Sequence, residues 1–332
     1  MSTYGLDFGS TYLKLAEVDG DKLVHTLVTP NPIGKIIFET EQETNQIVES
    51  LKKTFSERKV NPNKVRVTIS EGVCYSRVIS MPVLSQAELS NAIKYEAEQY
   101  IPVSLSEVEL SYEVITKGNQ KGGDDKMSVL LVAASTKVLS NVVNVLSKLG
   151  IEPEIMEPES ISTARAAILQ KEQTDNTMLL TLGAVTSSIT IFQGQNIVFT
   201  HRIDTGSAAV TRAIATTLSL PIPQAEEYKR SYGIKADILE GKLYQAVLPL
   251  ANNLVSEVKK AFSFIVTTNL NTKPTRLMLS GGGSLLPGLV QFLSQNTGLE
   301  VTTANLNYLK KNTKETPLPD QVTIASVGAA LR

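Results

Sequence analysis

One cysteine, Cys74, in a chain of 332 residues excludes an intrachain disulfide and a cysteine-rich zinc site, and fits a reducing cytoplasm. Histidine is nearly as scarce. His25 and His201 are the only two; both sit in strand-like segments without ligand neighbours at helical spacing and are read as structural. Neither sign of charge is in excess, with 32 lysines and arginines against 33 acids, so no bulk positive field exists to collect nucleic acid or anionic lipid. The longest uninterrupted apolar run, 129–134, falls far short of the roughly 20 residues a membrane span requires. No basic segment followed by an apolar run opens the sequence, and a strand-like YGLDFG starts at residue 4, so no secretory signal is expected. What is present is ample core material: 42% hydrophobic residues and a mean hydropathy near zero suit a soluble protein of two domains.

The sequence repeats itself. Residues 4–25, YGLDFGSTYLKLAEVDGDKLVH, lie over 178–199, MLLTLGAVTSSITIFQGQNIVF, without a gap at a constant offset of 174. Gly9 falls on Gly183 and Gly20 on Gly194, with period-2 apolar alternation between them, which predicts strand–turn–strand–turn–strand in each copy. Two similar halves imply a cleft between them, where ligands usually bind.

Punctuation supplies the rest. Ile47, Val48, Leu51 and Phe55 form a helical stripe ahead of the turn at Asn61 and Pro62. SQAE at 85–88 is a capping box, with Ser85 and Glu88 starting a helix that runs to about Tyr100 and stops before Pro102. TKGNQKGGDDK at 116–126 reads as an exposed hairpin loop. A further helix face, Val138 to Leu149 in spacing, ends at Gly150. Pro158 is placed to begin a helix joining the halves, through Ile161, Ala164 and Ile168. Helices are expected near 207–219 and 223–232, and a long stripe from Val247 to Ile265 in which Pro249 is expected to break or kink the helix.

Three segments carry ligand chemistry. In DFGSTYLK at 7–14, the amides of Gly9, Ser10 and Thr11 can hold phosphate oxygens, Lys14 can neutralise them, and Asp7 can orient magnesium through water; an ordinary hairpin turn has the same letters. In SGGGS at 280–284, between a buried strand and a helix, side chains at Gly281, Gly282 or Gly283 would occupy an adenosine's space, unless this is a plain tight turn. Glu226, Lys229 and Arg230 share one helix face, which alone could equally be a solvated surface.

The ordered set DFGSTYLK, MPVLSQAELSNAIKYEAEQYIPVS, EPES, TLGAVTSS, AEEYKRSYG, LSGGGSLLPGL and IASVGAALR resembles the PilM family within the actin, Hsp70 and sugar-kinase superfamily, over essentially the whole chain. The resemblance implies an α/β, actin-like (ribonuclease H-like) duplicated fold: two lobes around a nucleotide cleft, with an inserted subdomain of the kind found in PilM and FtsA. Lobe 1 would be 1–80, completed by 156–175 and a C-terminal helix at 321–332; the inserted subdomain 81–155; and lobe 2 176–320, with a helical insertion at about 220–273. It further implies ATP or ADP with magnesium, held by Asp7, Gly9, Ser10, Thr11 and Lys14, by Gly183, Thr186 and Ser187, by Glu226, Lys229 and Arg230, and by Gly281, Gly282, Gly283 and Ser284. Glu157 matches an acid near the attacking water. The expected partners are the N-terminal tail of PilN at the inserted subdomain, with Leu89, Ile93 and Tyr100 as one wall unless they face the core, and other inner-membrane and motor components of a type IV pilus. Self-association is a further expectation, and the location would be the inner face of the plasma membrane, reached through the partner and without membrane insertion.

The chain departs from the family where the second phosphate loop begins, with Thr181 in place of an aspartate. Losing one such electrostatic element typically costs on the order of a hundredfold in rate, so ATP binding is expected to outlast hydrolysis. Two alternatives are weaker. A small-molecule kinase needs a carboxylate base and usually a larger substrate domain. An FtsA-like filament protein would end in an amphipathic membrane helix, whereas IASVGAALR reads as a buried closing helix.

Overall fold

The computed structural model describes residues 2–116, 126–168, 176–194, 196–267, 273–310 and 318–332. The first half opens with strands β1 (Ser2–Phe8), β2 (Tyr12–Asp19) and β3 (Lys22–Pro30), then helix α1 (Glu41–Arg58) and β4 (Lys64–Ile69). Next come β5 (Cys74–Pro82), α2 (Gln86–Tyr100), β6 (Val108–Thr116), β7 (Lys126–Ser135), α3 (Thr136–Lys148), β8 (Glu152–Pro158) and α4 (Glu159–Ile168). The second half contains β9 (Thr177–Leu182), β10 (Ser187–Gln193), β11 (Asn196–Ile203), α5 (Ser207–Leu218), α6 (Ile222–Tyr232) and α7 (Lys242–Thr267). It closes with β12 (Arg276–Ser280), α8 (Leu289–Thr297), β13 (Glu300–Thr303) and α9 (Asp320–Ala330).

The repeat is structural down to its irregularities. One sheet runs β3-β2-β1-β4-β8 and the other β11-β10-β9-β12-β13, each an antiparallel meander extended by parallel strands. Gly9 N–H bonds Tyr12 O at 3.1 Å, and Gly183 N–H bonds Thr186 O at 3.1 Å. Gly20 and Gly194 both take positive φ, 62° and 57°, as tight turns between strands demand. Even the β-bulge recurs at the same offset, between Glu17 and Val18 and between Ile191 and Phe192. Register pairs Asp7 with Lys14 in the first copy and Thr181 with Ser188 in the second.

The inserted sheet, β5-β7-β6, begins earlier than 81 because β5 pairs with β7 from Cys74 onward. The helix expected inside that insertion, α3, instead packs Val142, Val145 and Leu146 into one core with Leu6, Ile47 and Leu51, so it forms part of the first lobe's outer layer. Helix α2 starts at the Ser85–Glu88 capping box as expected. Leu89 and Ile93 face the core of the inserted unit, and Tyr100 stacks beneath Arg77, whose guanidinium is 4.4 Å from the ring centroid. The loop expected at 116–126 falls, beyond its two end residues, outside the described residues. Helix α7 runs unbroken through Pro249: its buried stripe of Leu243, Ala246, Val247, Ala251 and Val255 anchors the turns on both sides.

Between the sheets lie α4 and α9. Helix α9 is buried on nearly every side, which explains its apolar and small-residue sequence. Together the two helices join Ala16 and Val18 of the first sheet to Leu179, Phe192 and Met278 of the second in one cluster. They approach so closely that a Cβ on Gly328 would lie 1.8 Å from Ser162 O, and α9 presses as closely on β1, where a Cβ on Gly5 would lie 1.9 Å from Ser326 O. No described helix is long and apolar enough to cross a membrane.

Candidate nucleotide cleft

Both hairpin turns point into one cleft of about 470 Å³, within the range of small-molecule sites. Gly9, Ser10, Thr11, Tyr12 and Lys14 line one side; Gly183, Thr186 and Ser187 line the other; Gly281, Gly282 and Gly283 and the α6 residues Glu226, Lys229 and Arg230 complete the wall. The sequence motifs, far apart in the chain, are therefore brought together. Two of the expected residues stand just behind that wall. Asp7 is buried and bonded to Lys14 Nζ at 2.5 Å. Ser284 is buried and donates its hydroxyl to Gly281 O at 2.7 Å.

The charge on Lys14 is secured. Burial pushes its pKa down, but the Asp7 carboxylate and then Glu159 more than compensate, leaving it raised. On the facing turn, Ser187 Oγ donates to Thr205 O at 2.7 Å. The first amides of α5 are already committed, Ser207 N–H to Gly183 O and Ala208 N–H to Ala184 O, each at 2.9 Å, so that helix terminus fixes the turn. Thr181 Oγ1 and Ser188 Oγ are both buried without a side-chain partner.

On α6, Glu226 accepts from Thr211 Oγ1 at 2.6 Å, from Lys229 at 2.7 Å and from Arg230 at 2.9 Å. Lys229 is 9% exposed and also reaches Thr211 Oγ1 at 2.9 Å, so it clamps α6 on α5, while Glu226 is partly exposed and Arg230 exposed. Burial opposes the Glu226 charge, yet its bonds to Lys229 and Thr211 hold its pKa below the ordinary value. Glu226 first, and the Tyr12 side chain across the cleft after it, raise the pKa of Arg230 against the opposing effect of burial.

Two expectations change. In the glycine loop, a Cβ on Gly281 would lie 2.4 Å from Leu182 O, and one on Gly283 would lie 2.9 Å from Leu182 Cβ. Packing against the end of β9 demands these two glycines, and only Gly282 faces open space. Glu157 does not line the cleft. Its carboxylate takes Arg165 at 2.5 and 2.8 Å, Ser162 Oγ at 2.6 Å and Arg332 at 2.7 Å. Burial raises its pKa, but the Arg165, Ser162 and Arg332 interactions outweigh that and hold it low, so it is an anchor for α4 and the C-terminal helix, unsuited to taking a proton.

The acid on the cleft wall beside Lys14 is Glu159. Burial, reinforced by Asp7 and Glu71 and opposed by Lys14, pushes its pKa up to about 7. Sequence offered one cue: a first-turn acid directly after a parallel strand stands at the strand's carboxyl end, where α/β sheets bind ligands. Apolar residues from distant helices, among them Val210, Val247 and Leu250, had no local signal. Among the described residues no group of three or more His, Cys, Asp or Glu could hold a metal by itself.

Solved structures share this architecture. The PilM-PilN type IV pilus biogenesis complex aligns with a TM-score of 0.83 and 24% identity, covering 100% of this chain and 98% of that one. Ethanolamine utilization protein EutJ from Carboxydothermus hydrogenoformans aligns at 0.58 and 16%, over 100% and 89% of the two chains. MreB 5 of Spiroplasma citri bound to AMPPNP aligns at 0.54 and 14%, over 93% of each. The fold is therefore actin-like. Cell division protein FtsA of Streptococcus pneumoniae serotype 2 (strain D39 / NCTC 7466) is 20% identical over 196 residues, 53% of this chain and 42% of that protein. The Bacillus subtilis (strain 168) FtsA is 21% identical over 197 residues, 54% and 45%. The chain thus spans less than half the length of these curated relatives. A sequence profile of the family described as "Type IV pilus assembly protein PilM" matches residues 5–326.

Proposed function

The chain belongs to the PilM family of type IV pilus assembly proteins, and from that membership we propose that it is an ATP-binding scaffold of a pilus assembly machine that hydrolyses its nucleotide slowly or not at all. The observation that carries this reading is the pair of register-matched hairpin turns facing one cleft, with Lys14 as the cation between them. Their donors suit a polyphosphate: amides and hydroxyls from both lobes, and one lysine whose charge is secured. Two carboxylates, Asp7 and Glu159, act on that lysine, and the buried Glu71 acts on Glu159 in turn. A triphosphate would therefore arrive with its countercharge, which suits magnesium held by phosphate oxygens and water, with Asp7 orienting the water.

Slow turnover follows from what the second lobe lacks. Where Asp7 faces Lys14, Thr181 faces Ser188, and Glu157 is engaged by two arginines. Glu159 is the acid left to face a bound phosphate. The scaffold role extends to a partner: one structural relative is a complex of PilM with PilN, and we assign a PilN-type N-terminal tail to the inserted unit of this chain. Such a tail can dock apolar side chains with its backbone extended. Leu89 and Ile93 are core residues, so other surfaces of that unit receive it. The protein then reaches the inner face of the membrane through its partner.

Calorimetry with ATP and magnesium tests the reading. One equivalent should bind, and turnover should stay far below one per second. Absence of binding, or turnover of order one per second without a partner, would defeat it. A synthetic PilN tail peptide should bind the same preparation.

A further inference from the structure

The cleft and the inserted sheet meet at one short segment. After β4 the chain makes a single 3-10 turn at Glu71–Val73 and enters β5. Ser70, at the start of this turn, lines the cleft. Gly72 lies against the second hairpin turn, with Thr186 Cγ2 3.5 Å from the place a Gly72 Cβ would occupy. From the second lobe, β11 reaches over the segment. Arg202 Nη1 donates to Gly72 O at 3.2 Å, its guanidinium sits 5.9 Å from the Tyr75 ring centroid, and Thr200 Oγ1 donates to Ser76 O at 2.7 Å. Below, the buried Glu71 carboxylate accepts Ser160 N–H at 3.1 Å, one residue beyond Glu159.

Arg202 is oriented for this task. Its Nε donates to Asp204 Oδ1 at 2.7 Å, which leaves Nη1 aimed at Gly72. Asp204 and Glu71 are the acids that face it, from its own lobe and from across the junction. Two ladders connect the guanidinium to both destinations. Toward the cleft, Ser187 at the end of the phosphate turn pairs with Ile203, the neighbour of Arg202. Toward the insertion, Tyr75 and Ser76 pair with Ala133 and Val132 of the central strand β7. Paired strands move as units, so a displacement of the turn is passed on with little loss.

Resting on the nucleotide reading above, we propose that Arg202 is a positioning residue that couples the phosphate end of the cleft to the inserted unit, so that a nucleoside triphosphate and a peptide docked on that unit alter each other's affinity. The coupling is reciprocal by necessity. A phosphate drawing the 183–187 turn inward moves β10 and β11; Arg202 carries Gly72 with it, and the start of β5 follows. A peptide that shifts β5 acts back through the same contact.

The chain contains its own reporter. Cys74, its sole cysteine, is fully buried as the first residue of β5, so its rate of modification by a maleimide reads local opening of this junction. The test measures that rate in the intact protein with and without saturating ATP and magnesium, with calorimetry on the same samples. Nucleotide should change the wild-type rate by about fivefold or more, a coupling of ordinary size. Arg202→Ala should still bind ATP but lose that nucleotide dependence, and Arg202→Lys should restore part of it. Thr200→Val, which removes one bond and no charge, should weaken the response without abolishing it. Wild-type labelling that ignores bound ATP, or a full response in Arg202→Ala, overturns the proposal while leaving the nucleotide reading intact. Absence of any binding heat overturns that reading, and the coupling with it.

Discussion

Replacing Gly328 with alanine sets two effects against each other. Helix α9 has ordinary helical backbone at this residue, which is absent from the positive-φ positions, so intrinsic propensity alone favours alanine by about 1 kcal/mol. Packing opposes it. The added Cβ would lie 1.8 Å from Ser162 O and 2.5 Å from Ser162 C, so α4 and α9 must part by more than an ångström. They cannot do so freely, because Arg165 Nη1 donates to Gly328 O at 2.8 Å while holding Glu157, and a Cβ on Gly5 beneath would already meet Ser326 O at 1.9 Å. Overpacking of this kind costs roughly 1–3 kcal/mol, and straining a hydrogen bond to a charged group adds on the order of 1.5. After the propensity gain, the net loss is about 1.5–3.5 kcal/mol. Urea unfolding is the assay: the midpoint should fall with the slope unchanged. Gly150→Ala is the control, since φ is 72° there with nothing within 4 Å, and it should lose only the roughly 1–2 kcal/mol of the left-handed backbone. A Gly328→Ala protein as stable as wild type, or more so, would refute the claim that this contact has no slack.

Lys14→Ala leaves the buried Asp7 carboxylate without its partner, so stability should drop by about 3 kcal/mol and the calorimetric signal for ATP should vanish; Asp7→Asn with Lys14→Met should recover the stability but not the binding. Glu159 links stability to pH: its folded pKa of about 7 exceeds the 4.5 of an ordinary glutamate, so the folded state holds a proton that the unfolded chain releases. Stability attributable to this group is complete below pH 4.5 and is lost as pH rises through 7. The thermal midpoint of wild type should therefore fall between pH 5 and 8 relative to Glu159→Gln, and parallel profiles would contradict the assignment.

What could be read in advance was whatever the chain writes locally. The hairpin repeat was visible because turn glycines and strand alternation are sequence-local, whereas the bulge that recurs at the same offset had no sequence signal and is seen only in the strand pairing. The Ser85–Glu88 box fixed the start of α2 for the same reason. Directions across the chain were hidden. The letters EPES contain both Glu157 and Glu159, and only the distant Arg332, together with Arg165, decides which one is immobilised. The glycine loop was legible as a close approach, but what approaches Gly281 and Gly283 is Leu182 of another strand. Helix α3 was legible as a helix, whereas its attachment to α1 depends on a long-range core.

The twin hairpins have the same skeleton and unequal polarity: one jaw carries a fixed cation, the other mostly uncharged hydroxyls and amides. Water can replace a neutral contact at little cost, but it replaces a charge-assisted one poorly. An anion gripped between them would therefore be shed in sequence, first from the Gly183–Ser187 side and last from the lysine, which would make departure a one-sided unhooking.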